Sequence, residues 1–173
     1  IYTEITKLHD LHDSKIDLFG EVYESLGEKD FRKSFGQFFT RRHIIKTLIE
    51  LMEINAYDFI GELYEEVENK QVVYKAKSPK NICDPACGTG GFLTEFFKYI
   101  KDEAQKHKNY KTIDLSKLAS SSFYGYDIYT ANVTRTKINM YLSGDGFSEI
   151  RKADTLQDQN INNNKFNYII TNP

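Results

Sequence analysis

Ile82-Cys83-Asp84-Pro85-Ala86-Cys87-Gly88-Thr89-Gly90-Gly91-Phe92 decides how the rest of the chain is read. A short apolar segment runs into Asp-Pro and then into a turn with three glycines in four positions. A helix restarts behind the turn, with Phe92, Leu93, Phe96, Phe97 and Ile100 at helical spacing. Glycine lets such a turn bend sharply and lets a ligand approach the backbone. The helix start adds unpaired N–H groups.

Working outward from Lys80, the order is strand, helix, strand, helix, strand, loop, strand. Phe123 to Ile128 reads as a strand and 129–142 as a helix through Val133, Ile138, Tyr141 and Leu142. A short strand is expected at 148–153. Residues 157–165 form an Asn- and Gln-rich loop, and Phe166 to Thr171 is an apolar strand before Asn172-Pro173. Strands alternating with helices predict an α/β fold with a parallel sheet. A doubly wound sheet usually has more strands, so further strands are expected beyond these. Upstream, Ile16, Phe19, Tyr23 and Leu26 predict a helix over 15–26. Ile44, Ile45, Leu48, Ile49 and Met52 predict a second, with Thr40 as N-cap. Ile60, Leu63, Tyr64 and Val67 predict a third. Residues 1–75 therefore read as a helical segment and 76–173 as the sheet domain.

The 173 residues carry a formal charge of −2, are 40% hydrophobic and contain only 10 Gly and 3 Pro. Collagen-like and wholly disordered chains are excluded. No apolar run reaches the roughly 20 residues of a membrane helix, and no signal peptide is visible at the N-terminus. Residues 1–75 carry 10 Lys/Arg against 15 Asp/Glu, and 76–173 carry 13 against 10. Neither part is the basic stripe of a self-sufficient nucleic-acid binder. Two cysteines, Cys83 and Cys87, make no disulfide framework and fit a reducing cytoplasm. Zinc needs four ligands, and His9, His12, His43 and His107 do not cluster with them in sequence. No metal site is expected.

Three cofactor classes use a strand–glycine turn–helix. A phosphate-binding loop needs Lys-Ser or Lys-Thr after its last glycine, which is absent. A dinucleotide site wants G-x-G-x-x-G; Gly88 and Gly90 fit, but Leu93 holds the third position. S-adenosylmethionine has no phosphate, so its site needs close approach without that third glycine.

Asp84-Pro85-Ala86-Cys87-Gly88-Thr89-Gly90-Gly91-Phe92 resembles the cofactor motif of N6-adenine DNA methyltransferases, above all the modification subunit of type I restriction–modification systems. Gly36-Gln37-Phe38-Phe39-Thr40 resembles that family's upstream cofactor motif. Phe166-Asn167-Tyr168-Ile169-Ile170-Thr171-Asn172-Pro173 resembles the approach to its catalytic Asn-Pro-Pro-aromatic motif, ending after the first Pro. Tyr124-Gly125-Tyr126-Asp127-Ile128 and Ala153-Asp154-Thr155-Leu156 fall where the family places two more cofactor contacts. The likeness spans roughly residues 15–173. One departure is Arg41, where the family usually has Pro.

The resemblance implies the N-terminal part of a Rossmann-like S-adenosylmethionine-dependent methyltransferase sheet, preceded by a helical segment. It implies methyl transfer to N6 of adenine in DNA, in the cytoplasm, with a specificity subunit and a restriction subunit as partners. Cofactor contacts would come from Gln37, Phe38, Phe39, Thr40, Asp84, Ala86, Gly88, Thr89, Gly90, Gly91, Asp127, Ile128, Asp154 and Thr155. Asn172 and Pro173 would be catalytic.

Each residue also has a plainer reading. Asp84 can cap a turn, and the glycines can serve only the turn. Asp127, 37 residues after Gly90, can accept ribose hydroxyls as acidic residues do in dinucleotide sites. Asp154 can be a surface residue. Phe38 or Phe39 can staple into the core. The lysines of 98–111 form a solvated face by default. Methylation of RNA or of a protein glutamine amide, and a cofactor-binding module without activity, remain alternatives.

Overall fold

The computed structural model describes residues 40–60, 62–68, 71–77, 79–106, 122–144, 148–162 and 166–173. The expected helix at 15–26, and Gln37, Phe38 and Phe39, lie outside these residues. Thr40 to Pro173 groups as one compact unit.

The elements in chain order are α1 (Arg42–Leu51), α2 (Tyr57–Ile60), β1 (Glu62–Glu68), β2 (Gln71–Lys77), β3 (Ile82–Asp84) and α3 (Gly91–Gln105). They continue with β4 (Phe123–Asp127), α4 (Thr130–Leu142), β5 (Glu149–Lys152), α5 (Gln159–Asn162) and β6 (Tyr168–Ile169). β3, β4, β5 and β6 form a sheet in the order β5-β4-β3-β6. Every pairing in it is parallel: Ile82 lies opposite Phe123 on one side and Tyr168 on the other. The chain winds outward from β3 to β5 and then returns to place β6 on β3's other flank. β3 is thus an inner strand, and Ile82, Cys83 and Asp84 are all buried, as parallel strands covered on both faces must be.

α3 packs on β4 through the face its sequence predicted. Phe92, Leu93, Phe96, Phe97 and Ile100 are buried. Phe59 meets Phe96 edge-on with ring centroids 5.0 Å apart, and Phe97 meets Phe123 at 5.5 Å. Removing a ring from such a cluster costs about 3–5 kcal/mol. α3 runs on to Gln105.

Two segments differ from the sequence expectation. Residues 62–68 are a strand, not a helix, and pair antiparallel with β2, Glu62 opposite Lys77 and Glu68 opposite Gln71. Leu63, Tyr64 and Val67 satisfy a helical period, but Gln71-Val72-Val73-Tyr74 follows within a few residues and supplies a β-prone partner. Thr40 is not the N-cap of α1; Arg41 is, without a side-chain cap. In α1, Ile45 and Ile49 are buried, whereas Ile44, Leu48 and the C-cap Met52 are exposed.

β6 is only two residues long, and its register is pinned just below it. The Asn81 N–H donates to Asn167 Oδ1 at 2.9 Å, and the Asn167 N–H donates to Asn81 Oδ1 at 2.8 Å. The Tyr168 N–H then donates to Asn81 O.

Candidate active site

The glycine turn sits at the carboxyl end of β3, where the chain reverses between β4 and β6. In open α/β sheets ligands bind at this switch point. Gly88 has φ +54° and Gly90 has φ +84°, left-handed values that favour glycine. A Cβ on Gly90 would lie 2.7 Å from Thr136 Cγ2, so this side of the turn is packed. Among the described residues, a Cβ on Gly88 would meet nothing within 4 Å, so that side is open to a ligand. The turn is bonded internally and to β4: the Gly90 N–H donates to Cys87 O and the Cys87 N–H to Tyr126 O.

Asp84 is 1% exposed and accepts the Ala86 N–H at 3.1 Å. Burial pushes its carboxyl up to about 6. The Thr171 hydroxyl and the Ala86 N–H pull it down, and the Asp127 charge pushes it further up. The Thr171 hydroxyl faces this carboxylate without reaching full hydrogen-bond geometry. Asp84 therefore lies under the turn as a covered carboxylate.

Asp127 ends β4 beside the turn. Its carboxylate accepts the Gly88 N–H at 3.0 Å, the Tyr129 N–H at 2.8 Å, and both oxygens accept Asn132 Nδ2 at 3.2 Å. Three protein donors thus hold it, Asn132 sharing its amide between both oxygens, against the about four lone-pair positions a carboxylate offers. Ile128, next in line, is half exposed.

The other sequence candidates fall along the same edge. The Thr155 hydroxyl donates to Pro85 O at 3.2 Å, which brings the segment after β5 against the turn. Asp154 is exposed and caps its own turn by accepting the Leu156 N–H. β6 delivers Thr171 beside Asp84 and leaves Asn172 and Pro173 exposed. Asn172 Nδ2 donates to Thr40 Oγ1 at 3.0 Å. Thr40, Asp84, Ala86, Gly88, Thr89, Gly90, Gly91, Asp127, Ile128, Thr155 and Asn172 are thus gathered at one sheet edge. Gln37, Phe38 and Phe39 are outside the described residues. Cys83 and Cys87 are free, buried thiols, and desolvation pushes both up to about 12.

Sequence reasoning missed the residues that hold the turn from behind. Arg42 Nη1 donates to Gly91 O at 3.0 Å and to Thr94 Oγ1 at 2.6 Å, and pairs with the buried Glu95 at 3.4 Å. From α4, Asn132, Thr136 and Asn139 reach Asp127 and the turn. Polar residues at +4 and +3 spacing on α4 carry the signal, whereas apolar periodicity there points to Ile138, Tyr141 and Leu142. Those three are exposed, at 52%, 70% and 41%.

A parallel sheet with a glycine turn at its switch point and an Asn-Pro at the end of the returning strand defines a Rossmann-like α/β domain. The chain belongs to the N-6 DNA Methylase family, whose model matches residues 14–173. It is 26% identical over 160 residues to the type I restriction enzyme MjaIX methylase subunit of Methanocaldococcus jannaschii, covering 91% of this chain and 22% of that one. It is 30% identical over 164 residues to the type I restriction enzyme EcoEI methylase subunit of Escherichia coli, covering 90% and 31%. In three dimensions it is similar to the type I restriction enzyme EcoKI M protein, with a TM-score of 0.57 at 20% identity, over 96% of this chain and 33% of that one. The chain spans about a fifth to a third of the length of these relatives. Among the described residues, no helix is long and apolar enough to cross a membrane.

Proposed function

We propose that this chain supplies the cofactor edge and the first catalytic residues of an adenine-specific DNA methyltransferase within a restriction–modification system. The observation that carries the reading is the meeting of the Gly88–Gly91 turn, Asp84 and Asn172 at one sheet edge in a member of this family. The open side of Gly88 suits a ligand that must lie against backbone. S-adenosylmethionine, held by residues 37–40, 84–91, Asp127, Ile128, Asp154 and Thr155, would supply the methyl group from its sulfonium.

The acceptor amine is a weak nucleophile because its lone pair is delocalised into the ring. Asn172 Oδ1 would accept one N–H of that amine and the Pro173 carbonyl the other; Pro keeps a C=O while lacking an N–H. Two fixed acceptors localise the lone pair and aim it. The Thr40 contact supports this role, because it occupies the amide nitrogen of Asn172 and leaves the oxygen for the target. The adenine has to leave the duplex to reach such a site. DNA is the substrate in this reading. A specificity subunit and a restriction subunit are the partners, as the relatives' names as restriction-enzyme subunits support. The restriction setting fits a cytoplasmic protein.

The test is labelled methyl transfer by the full-length protein, offered DNA, RNA and protein in parallel, with the products hydrolysed and separated. N6-methyladenine in DNA is the expected product. Label confined to RNA or to glutamine would refute the reading.

A further inference from the structure

Four successive carbonyls of the glycine turn are each taken by a side chain. Gly88 O accepts from Thr136 Oγ1 at 2.8 Å and Thr89 O from Asn139 Nδ2 at 2.8 Å. Gly90 O accepts from Thr94 Oγ1 at 2.9 Å and Gly91 O from Arg42 Nη1 at 3.0 Å. The first two donors stand on α4, together with Asn132, which holds Asp127 on the Gly88 N–H. Positions 132, 136 and 139 share one helix face. Thr136 is fully buried and Asn132 nearly so, a costly way to use a helix face unless every polar group is paired. Here each is paired, and for Thr136 and Asn139 the partner is the turn. The Cys87 thiol lies 3.6 Å from the Thr136 hydroxyl.

In a trans peptide the N–H points opposite to the C=O. Anchoring Gly88 O in α4 therefore fixes the Thr89 N–H away from α4. Anchoring Thr89 O fixes the Gly90 N–H, which closes the turn on Cys87 O at 2.7 Å. The Thr136 methyl, packed against Gly90, keeps the turn from settling further toward the helix. Among the described residues, a Cβ on Gly88 would come within 4 Å of none of these side chains.

We propose that Thr136 and Asn139 are positioning residues for S-adenosylmethionine, holding the Gly88 and Thr89 peptides in the orientation that the cofactor reads. The inference rests on the reading of the 88–91 turn as the cofactor site. It assigns to α4 a task that neither the glycine motif nor the Asn-Pro motif performs.

The experiment is calorimetric titration of full-length Thr136→Val, Thr136→Ser and Asn139→Leu with S-adenosylmethionine, alongside steady-state methylation. Thr136→Val and Asn139→Leu should each weaken binding about tenfold, equivalent to about 1.4 kcal/mol. Thr136→Ser keeps the hydroxyl and should bind within about twofold of the parent. At saturating cofactor, kcat should be kept and the KM for cofactor raised, because Asn172 is untouched. A purely structural role would lower the melting temperature and leave the cofactor Kd of the folded protein unmoved. Asn139 is only partly buried, so Asn139→Leu reports even where Thr136→Val fails to fold. Folded Asn139→Leu and Thr136→Val with unchanged Kd would overturn the proposal. Gly90→Val separates the two levels. Lost binding there, with α4 variants that bind normally, defeats only the positioning role. Normal binding by Gly90→Val defeats the cofactor site itself.

Discussion

Replacing Gly90 and Gly88 by alanine in turn probes a turn that is packed on one side and open on the other. Both glycines hold left-handed φ values, +84° and +54°, and a Cβ there costs about 1–2 kcal/mol. Gly90→Ala adds a second cost, because the new Cβ would sit 2.7 Å from Thr136 Cγ2 and 3.3 Å from its Cβ and Oγ1. These are not the ends of a flexible chain. Thr136 is held by Gly88 O and by its own helix, so it cannot swing away. Overpacking of this kind costs about 1–3 kcal/mol. Gly90→Ala should therefore lose about 2–5 kcal/mol of stability and Gly88→Ala about 1–2 kcal/mol. Cofactor affinity should fall in both, in Gly88→Ala because the methyl enters the open side. Combining Gly90→Ala with Thr136→Ser, which removes the clashing methyl, should return about 1 kcal/mol or more. Urea unfolding measures the stabilities and calorimetry the affinities. Equal losses for the two glycines, with no recovery in the double variant, would refute the packed-side, open-side description.

Further outcomes follow from the surrounding residues. Asp127→Ala should weaken S-adenosylmethionine binding by about 1.5–3 kcal/mol. Because the same carboxylate holds the Gly88 N–H, it should also lower the unfolding midpoint; unchanged calorimetric affinity would return Asp127 to a purely structural role. Asp84, whose carboxyl is raised from 3.8 to about 6, holds its proton longer in the folded protein than in the unfolded chain. Its contribution is thus most favourable below about pH 4 and is lost as pH rises to about 6, by about 3 kcal/mol in all. Asp84→Asn should flatten that slope in urea unfolding measured from pH 4 to 7, and an unaltered slope would contradict the burial argument. Asn172→Ala in the full-length protein should keep cofactor affinity and lose roughly 10²–10³ in methyl transfer, as sites of this electrostatic kind do; a wild-type rate would remove Asn172 from the chemistry.

The strand, turn and helix from Ile82 to Ile100 were legible because three signals agree there. The apolar strand, the glycines and the helical spacing of Phe92 to Ile100 all point to one unit, and all those apolar positions are buried. Residues 62–68 are not legible as a strand because Leu63, Tyr64 and Val67 also fit a helical period, and only the pairing with β2 decides between the two. α4 stands where the sequence places it and buries Val133 as expected, but Ile138, Tyr141 and Leu142 are exposed. Hydrophobic periodicity assumes that a helix packs on apolar surface, whereas α4 turns Asn132, Thr136 and Asn139 to the Asp127 carboxylate and the turn carbonyls. Nor could sequence alone foresee that Thr40, read as a cap, meets Asn172 from 132 residues away.

The paired amides of Asn81 and Asn167 bear on how the chain is made. β4 and β5 can join β3 in the order of synthesis, but β6 is 86 residues downstream of its partner. At a ribosomal pace of about 5–20 residues per second, roughly 4–17 s pass between the two. For that interval one flank of β3 is a bare strand edge, the kind that pairs with foreign chains. A two-residue strand offers few bonds to select its own register, and a slip of one residue would reverse the facing of every side chain after it. Asn81, waiting at the base of that flank, accepts and donates only to a chain that arrives in step.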